Sequence, residues 1–135
     1  MKKTQTTRLN EIPLLAKQVA KELRGGEILA LIGSLGAGKT TFTQALGKAL
    51  KIRHKITSPT FTLLNLFPAH LLKGTKVTLY HLDLYRTKNF KEVKALGITE
   101  FWGKKETITV IEWANKIKRY LPKKTKYIFF NNAKI

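Results

Sequence analysis

Cysteine is absent from the 135 residues, so disulfides, thiolate nucleophiles and cysteine-ligated zinc are excluded. Acid is scarce: Asp and Glu total 8, and Asp83 is the only aspartate. Long apolar runs are missing as well, since none approaches the ~20 residues that a membrane span needs. The lysines that open "MKKTQTTRLN" are not followed by the apolar stretch of a signal peptide, so a cytoplasmic chain without membrane contact is expected.

What is there in excess is positive charge. Lys and Arg total 26, giving a formal net charge of +18 and an expected attraction to polyanions such as RNA, nucleotides or acidic protein faces. The excess is spread along the chain: residues 1–86 carry 14 basic and 4 acidic side chains, and residues 87–135 carry 12 and 4, so no basic tail is implied. The densest run, Lys116 to Lys126, reads either as a solvated face or as a docking patch for RNA or an acidic partner. With 43% hydrophobic residues, a chain of this length supports one domain, 1–135, that buries about two-thirds of its surface.

Apolar periodicity then sets the elements. Ile12, Leu15, Ala16, Val19, Ala20 and Leu23 form one helical stripe, with Asn10 as the expected cap and Gly25-Gly26 as the stop. "EILALI" (27–32) is a continuous apolar run, the pattern of a strand buried on both faces. A second helical stripe runs through Phe42, Ala45, Leu46, Ala49 and Leu50. An extended stretch to Phe67, a turn over "PAHLLKGT" and a strand over 76–86 predict a hairpin. A helix over 88–96 stopped by Gly97, a strand over 107–114, a short helix over 115–121 ended by Pro122 and a strand over 126–130 complete the pattern. The fold class predicted is α/β: a mostly parallel sheet like that of P-loop NTPases, with a hairpin insertion and helices on both faces.

"GSLGAGKTTF" (33–42) lies between a buried strand and a helix, and it satisfies G-x-x-x-x-G-K-[ST] through Gly33, Gly38, Lys39 and Thr40. Glycines let successive N–H groups turn inward around a phosphate, and the helix N-terminus adds the positive end of its dipole. Lys39 can reach the β- and γ-phosphates, and the Thr40 hydroxyl can ligate Mg2+. The expected ligands are therefore ATP and Mg2+. No N-K-x-D segment follows the last strands, which favours adenine over guanine.

A phosphate loop also needs an acid near its metal, at the carboxyl end of a neighbouring strand. Glu112 directly follows "ITVI" and is the first candidate, against a surface salt bridge. Asp83, in "HLDLYR", is a second, toward the metal, its waters or the attacking water, against a turn-forming aspartate. Ser58 and Thr60 in "SPTF" read either as a γ-phosphate-sensing switch or as a strand-entry turn. Tyr85 and Arg86 are candidates for contact with a partner or a phosphate. His81 reads as a strand residue rather than a catalyst, and Trp113 as packing rather than a nucleotide contact.

In order, "GSLGAGKTTF", "SPTFTL", "HLDLYR", "LGITEFW" and "IEWANKI" resemble the TsaE family, small bacterial P-loop ATPases of tRNA threonylcarbamoylation. The similarity runs from about residue 10 to Pro122. It implies an ATPase that does not itself transfer the threonylcarbamoyl group. Its implied partners are the tRNA threonylcarbamoyl transferase and that enzyme's inactive paralogue, with hydrolysis resetting their heterodimer between turnovers. The family's phosphate loop falls on Gly36, Ala37, Gly38, Lys39, Thr40 and Thr41, its metal ligands on Thr40 and Glu112, and its second important acid on Asp83. The resemblance also brings Asn115 close to the nucleotide and Leu9 close to the base. Three departures stand out: Ser34 where the family often has aspartate, a basic "TKNFKEVKALG" where it begins a helix with acids, and an end at Ile135, before its final arginine-bearing strand.

Two other readings compete. A small-molecule or nucleoside kinase would use the same loop but needs an acceptor pocket with its own base, for which a chain with one aspartate leaves little room. A basic RNA-binding module with a vestigial loop would bind RNA in a salt-sensitive way that ignores Lys39.

Overall fold

A computed structural model describes residues 2–7, 9–33, 38–54, 56 and 64–130. Strands β1 (Lys2–Thr7), β2 (Ile28–Ile32), β3 (Leu64–His70), β4 (Lys76–Asp83), β5 (Thr107–Glu112) and β6 (Lys126–Phe130) form one sheet in the order β1-β6-β2-β5-β4-β3. Every neighbouring pair is parallel except the β3–β4 hairpin. The predicted α/β class, parallel core and hairpin are therefore what the chain adopts.

The two sheet faces carry separate cores. Leu29, Leu31, Val77, Leu79, Ile108, Val110, Ile128 and Phe130 face helices α1 (Ile12–Glu22) and α2 (Lys39–Ala49). Ile28, Ala30, Tyr80, Leu82, Ile111 and Tyr127 face α3 (Phe90–Ala95) and the 3-10 segments Ile98–Glu100 and Ala114–Tyr120. The alternation of these sets along each strand is the period-2 geometry of a pleated strand with both faces covered. Phe42 of α2 meets Phe130 of β6 edge to face, with centroids 5.7 Å apart, which locks the helix that follows the glycine-rich loop onto the sheet.

Several boundaries depart from the sequence-based expectations. Asn10 is not the cap of α1: the 3-10 turn Leu9–Glu11 runs straight into the helix, Glu11 occupies the cap position without a side-chain hydrogen bond to the helix's first N–H groups, and Pro13 sits in the first turn. There the ring's missing N–H would have had no helical partner anyway. The "PAHLLKGT" turn is shorter than expected, because β3 continues through Pro68 to His70 and the chain reverses over Leu71–Thr75. β3 is an edge strand, where proline is tolerated. β4 stops at Asp83 rather than Arg86, because the Asp83 carboxylate accepts the Tyr85 N–H at 2.9 Å and turns the chain. β5 likewise stops at Glu112, before Trp113 takes up a left-handed conformation with φ 61°. β1 was not expected at all. It pairs with β6 at the sheet edge, and its sequence KKTQTT carries no apolar alternation to announce it.

The segment leaving β2 packs on one face of the sheet and the segment leaving β5 on the other. Between the carboxyl ends of two such neighbouring strands an open α/β sheet has its ligand crevice. No helix among the described residues is long and apolar enough to cross a membrane.

Candidate functional site

Gly38 opens α2 with φ 104° and ψ 11°, a left-handed conformation that favours glycine. It aims the first turn of the helix at the crevice: the Gly38 carbonyl accepts the Phe42 N–H at 2.8 Å, and the Thr43 hydroxyl donates to the Lys39 carbonyl at 3.0 Å. Lys39 follows, only 5% exposed. Its Nζ donates to the Gly33 carbonyl and lies 3.7 Å from the centroid of the Trp113 ring. Burial pulls the Lys39 ammonium below its ordinary value, and the nearby carboxylates of Glu112 and Asp83 offset part of that effect.

The acids approach from β4 and β5. Asp83 and Glu112 stand directly opposite each other in the β4–β5 register, each the last residue of its strand. Glu112 is 3% exposed, which removes the surface-salt-bridge reading. Its Oε1 accepts from the Thr40 hydroxyl at 3.4 Å, and its Oε2 lies 2.7 Å from Nε2 of His81. Asp83 is buried as well and spends Oδ1 on the Tyr85 N–H, so it does form a turn, and it does so beside Lys39 and Glu112.

A second layer closes over the carboxyl ends. Tyr85 is exposed and its ring leans on Trp113, with centroids 5.2 Å apart. Lys116 donates to the carbonyls of Tyr85 and Thr87, tying the turn after β4 to the segment after β5. The basic run is thus partly structural: Lys116 holds this turn, and Lys118 lies over the Tyr127 ring at 5.7 Å.

Lys39, Thr40, Asp83 and Glu112 therefore converge, the first two carried by the helix that Gly38 opens and the acids by the ends of β4 and β5. Thr41 is exposed on the first turn of α2, Asn115 is exposed just beyond Trp113, and Arg86 is exposed beside Tyr85. None of these three is drawn in by a side-chain bond described here. Gly36, Ala37, Ser58 and Thr60 lie outside the described residues, as does the side chain of Leu9. Sequence reasoning missed two neighbours of the site. Trp113 does pack against the core on the α3 face, as expected, and its ring also meets Lys39; His81 is a strand residue, as expected, and also contacts Glu112. The i, i+2 spacing of His81 and Asp83, which puts both on one face of β4, was the available signal.

A family model, threonylcarbamoyl adenosine biosynthesis protein TsaE, matches residues 6–134. The chain belongs to the TsaE family. Among its relatives, the tRNA threonylcarbamoyladenosine biosynthesis protein TsaE of Aquifex aeolicus is 42% identical over 106 residues, covering 77% of this chain and 70% of that one. The TsaE protein of Bacillus subtilis is 34% identical over 131 residues, 97% of this chain and 78% of that one. Among solved structures, the crystal structure of YdiB from Bacillus subtilis superposes with a TM-score of 0.60 at 31% identity, over 91% of this chain and 72% of that one. The TsaE resemblance carried by the five sequence segments is thereby borne out.

Proposed function

We propose that this chain binds Mg2+ and ATP in the crevice and hydrolyses the nucleotide slowly on its own and faster with partners. In this reading it is the ATPase subunit needed to place threonylcarbamoyl on the adenosine beside the tRNA anticodon, in the cytoplasm. The partners are the tRNA threonylcarbamoyl transferase and its inactive paralogue, and the group transfer itself is theirs. The observation that carries the reading is the meeting of Thr40, from the helix after the glycine-rich loop, with the buried Glu112 at the end of β5.

The donor set suits the metal. Among the described residues no cluster of three His, Asp or Glu side chains could cage a cation alone. Mg2+ seldom asks for such a cage, because it takes one or two protein oxygens and fills its octahedron with water and substrate phosphate. Two oxygens bound to one Mg2+ in adjacent octahedral positions lie about 3 Å apart, and the Thr40 hydroxyl and Glu112 Oε1 stand 3.4 Å apart. When bound, the ion neutralises charge on the β- and γ-phosphates. The protein's own part is to position charge. The N–H groups at the start of α2 receive the phosphates, and Lys39 leaves the Gly33 carbonyl and the Trp113 face to meet the γ-phosphate. The anchoring of one Asp83 oxygen by the Tyr85 N–H supports its reading as the acid that orients the attacking water.

The test is a reconstituted reaction containing the transferase, its inactive paralogue, tRNA and the activated threonylcarbamoyl donor. Adding this chain with ATP is expected to carry modification through repeated turnovers, and adding Lys39→Ala is not. Equal turnover with and without the chain would sink the proposal.

A further inference from the structure

Glu112 divides its two oxygens between two partners. Oε1 faces the Thr40 hydroxyl at 3.4 Å, and Oε2 lies 2.7 Å from Nε2 of His81. His81 is completely buried in β4, where its register partner on β5 is Val110, two residues before Glu112. The contact is therefore diagonal between adjacent parallel strands, within the reach of a glutamate and an imidazole. A carboxylate can only accept, so the proton in this bond sits on Nε2, while the other ring nitrogen, Nδ1, is buried with no partner among the described residues.

We propose that His81 is a positioning residue for Glu112: its Nε2–H holds Oε2 and so presents Oε1, paired with the Thr40 hydroxyl, as the oxygen that receives Mg2+. This rests on the reading of Glu112 as the acid on the metal side. The physical need is specific to this site. Lys39, close enough to feel the Glu112 charge, is held by the Gly33 carbonyl and the Trp113 ring. A buried carboxylate with one oxygen unpartnered would be drawn onto that ammonium. The His81 bond fixes the carboxylate against that rotation and leaves both Lys39 and Oε1 available to a nucleotide. Partners of metal-binding side chains commonly act in this way.

The test titrates ATP calorimetrically into the full chain at a series of Mg2+ concentrations and in excess EDTA, and compares four variants. Wild type is expected to gain ATP affinity with Mg2+, and Glu112→Ala to lose that gain. Without both results the reading of Glu112 itself fails. Given both, His81→Asn, whose amide stops short of the Nε2 position, is expected to need roughly 10–100-fold more Mg2+. His81→Gln, whose amide N–H extends further, is expected to recover most of the loss, while binding in EDTA stays the same in both. A purely structural histidine would change melting temperature without changing the Mg2+ requirement. His81→Asn and His81→Leu retaining the wild-type Mg2+ requirement would overturn the proposal while leaving Glu112 in place. Long-range 1H–15N spectra of the wild-type ring supply an arm that needs no variant. The proton is expected on Nε2, and a ring protonated only on Nδ1 would contradict the arrangement.

Discussion

At the scale of single residues, Lys39 is the side chain whose position is most informative. A lysine held almost out of water is costly unless its surroundings compensate, and here the Gly33 carbonyl, the Trp113 ring and the carboxylates of Glu112 and Asp83 offset only part of that cost, so its pKa is lowered. The pH dependence follows. At pH values between the lowered folded value and the ordinary 10.5, the unfolded chain keeps the Lys39 proton and the folded chain releases it, so this group makes stability rise with pH. Below that interval both states are protonated and the burial cost is fully present. Lys39→Met is therefore expected to melt no lower than wild type at pH 7, to lose the lysine's share of the rise toward alkaline pH, and to lose protection by ATP. Thermal melts across that pH range check all three, and a variant melting well below wild type at pH 7 would show that the lysine stabilises the fold. Little of this was legible beforehand. The motif names Lys39, Thr40 and Glu112 because their spacing and strand-end position are local signals. The Trp113 contact depends on a left-handed residue after β5, and the His81 bond depends on the β4–β5 register, neither of which a run of letters displays.

Among elements, those with a strong apolar period were readable and those defined by pairing were not. β2 and β5 stand out as continuous apolar runs because both of their faces are covered. β1 is polar in sequence and exists as a strand through its ladder with β6, and Pro68 hides the end of β3 because a proline reads as a turn unless the strand is known to be an edge. A turn at the opposite end of the sheet from the site is tightly constrained. Gly25 has φ 112°, and a Cβ there would stand 2.2 Å from the Lys105 carbonyl oxygen. Glu27 braces the same turn by accepting the Arg24 and Gly25 N–H groups at 2.9 and 2.8 Å. Gly25→Ala is expected to destabilise the protein by about 1–3 kcal/mol or more through backbone strain and the clash. Chemical denaturation checks this, and a change below about 0.5 kcal/mol, the scale of an ordinary surface substitution, would mean that the turn relaxes freely.

Over the whole molecule, one sheet with a core on each face brings β2, β4 and β5 to a common end, where Lys39, Thr40, Asp83 and Glu112 gather. Membership of the TsaE family rests on residues 6–134 taken together, and the site geometry on a handful of contacts between α2, β4 and β5 within that span. The net charge of +18 belongs to this scale as well, since it steers the whole surface toward anionic partners without defining a site. The most direct test of the central claim is ATP hydrolysis by the purified chain, with and without the heterodimer of the transferase and its inactive paralogue, for wild type, Lys39→Ala and Glu112→Ala. The account predicts slow hydrolysis that the heterodimer accelerates and that both substitutions abolish. Hydrolysis that ignores the heterodimer and survives both substitutions would contradict it.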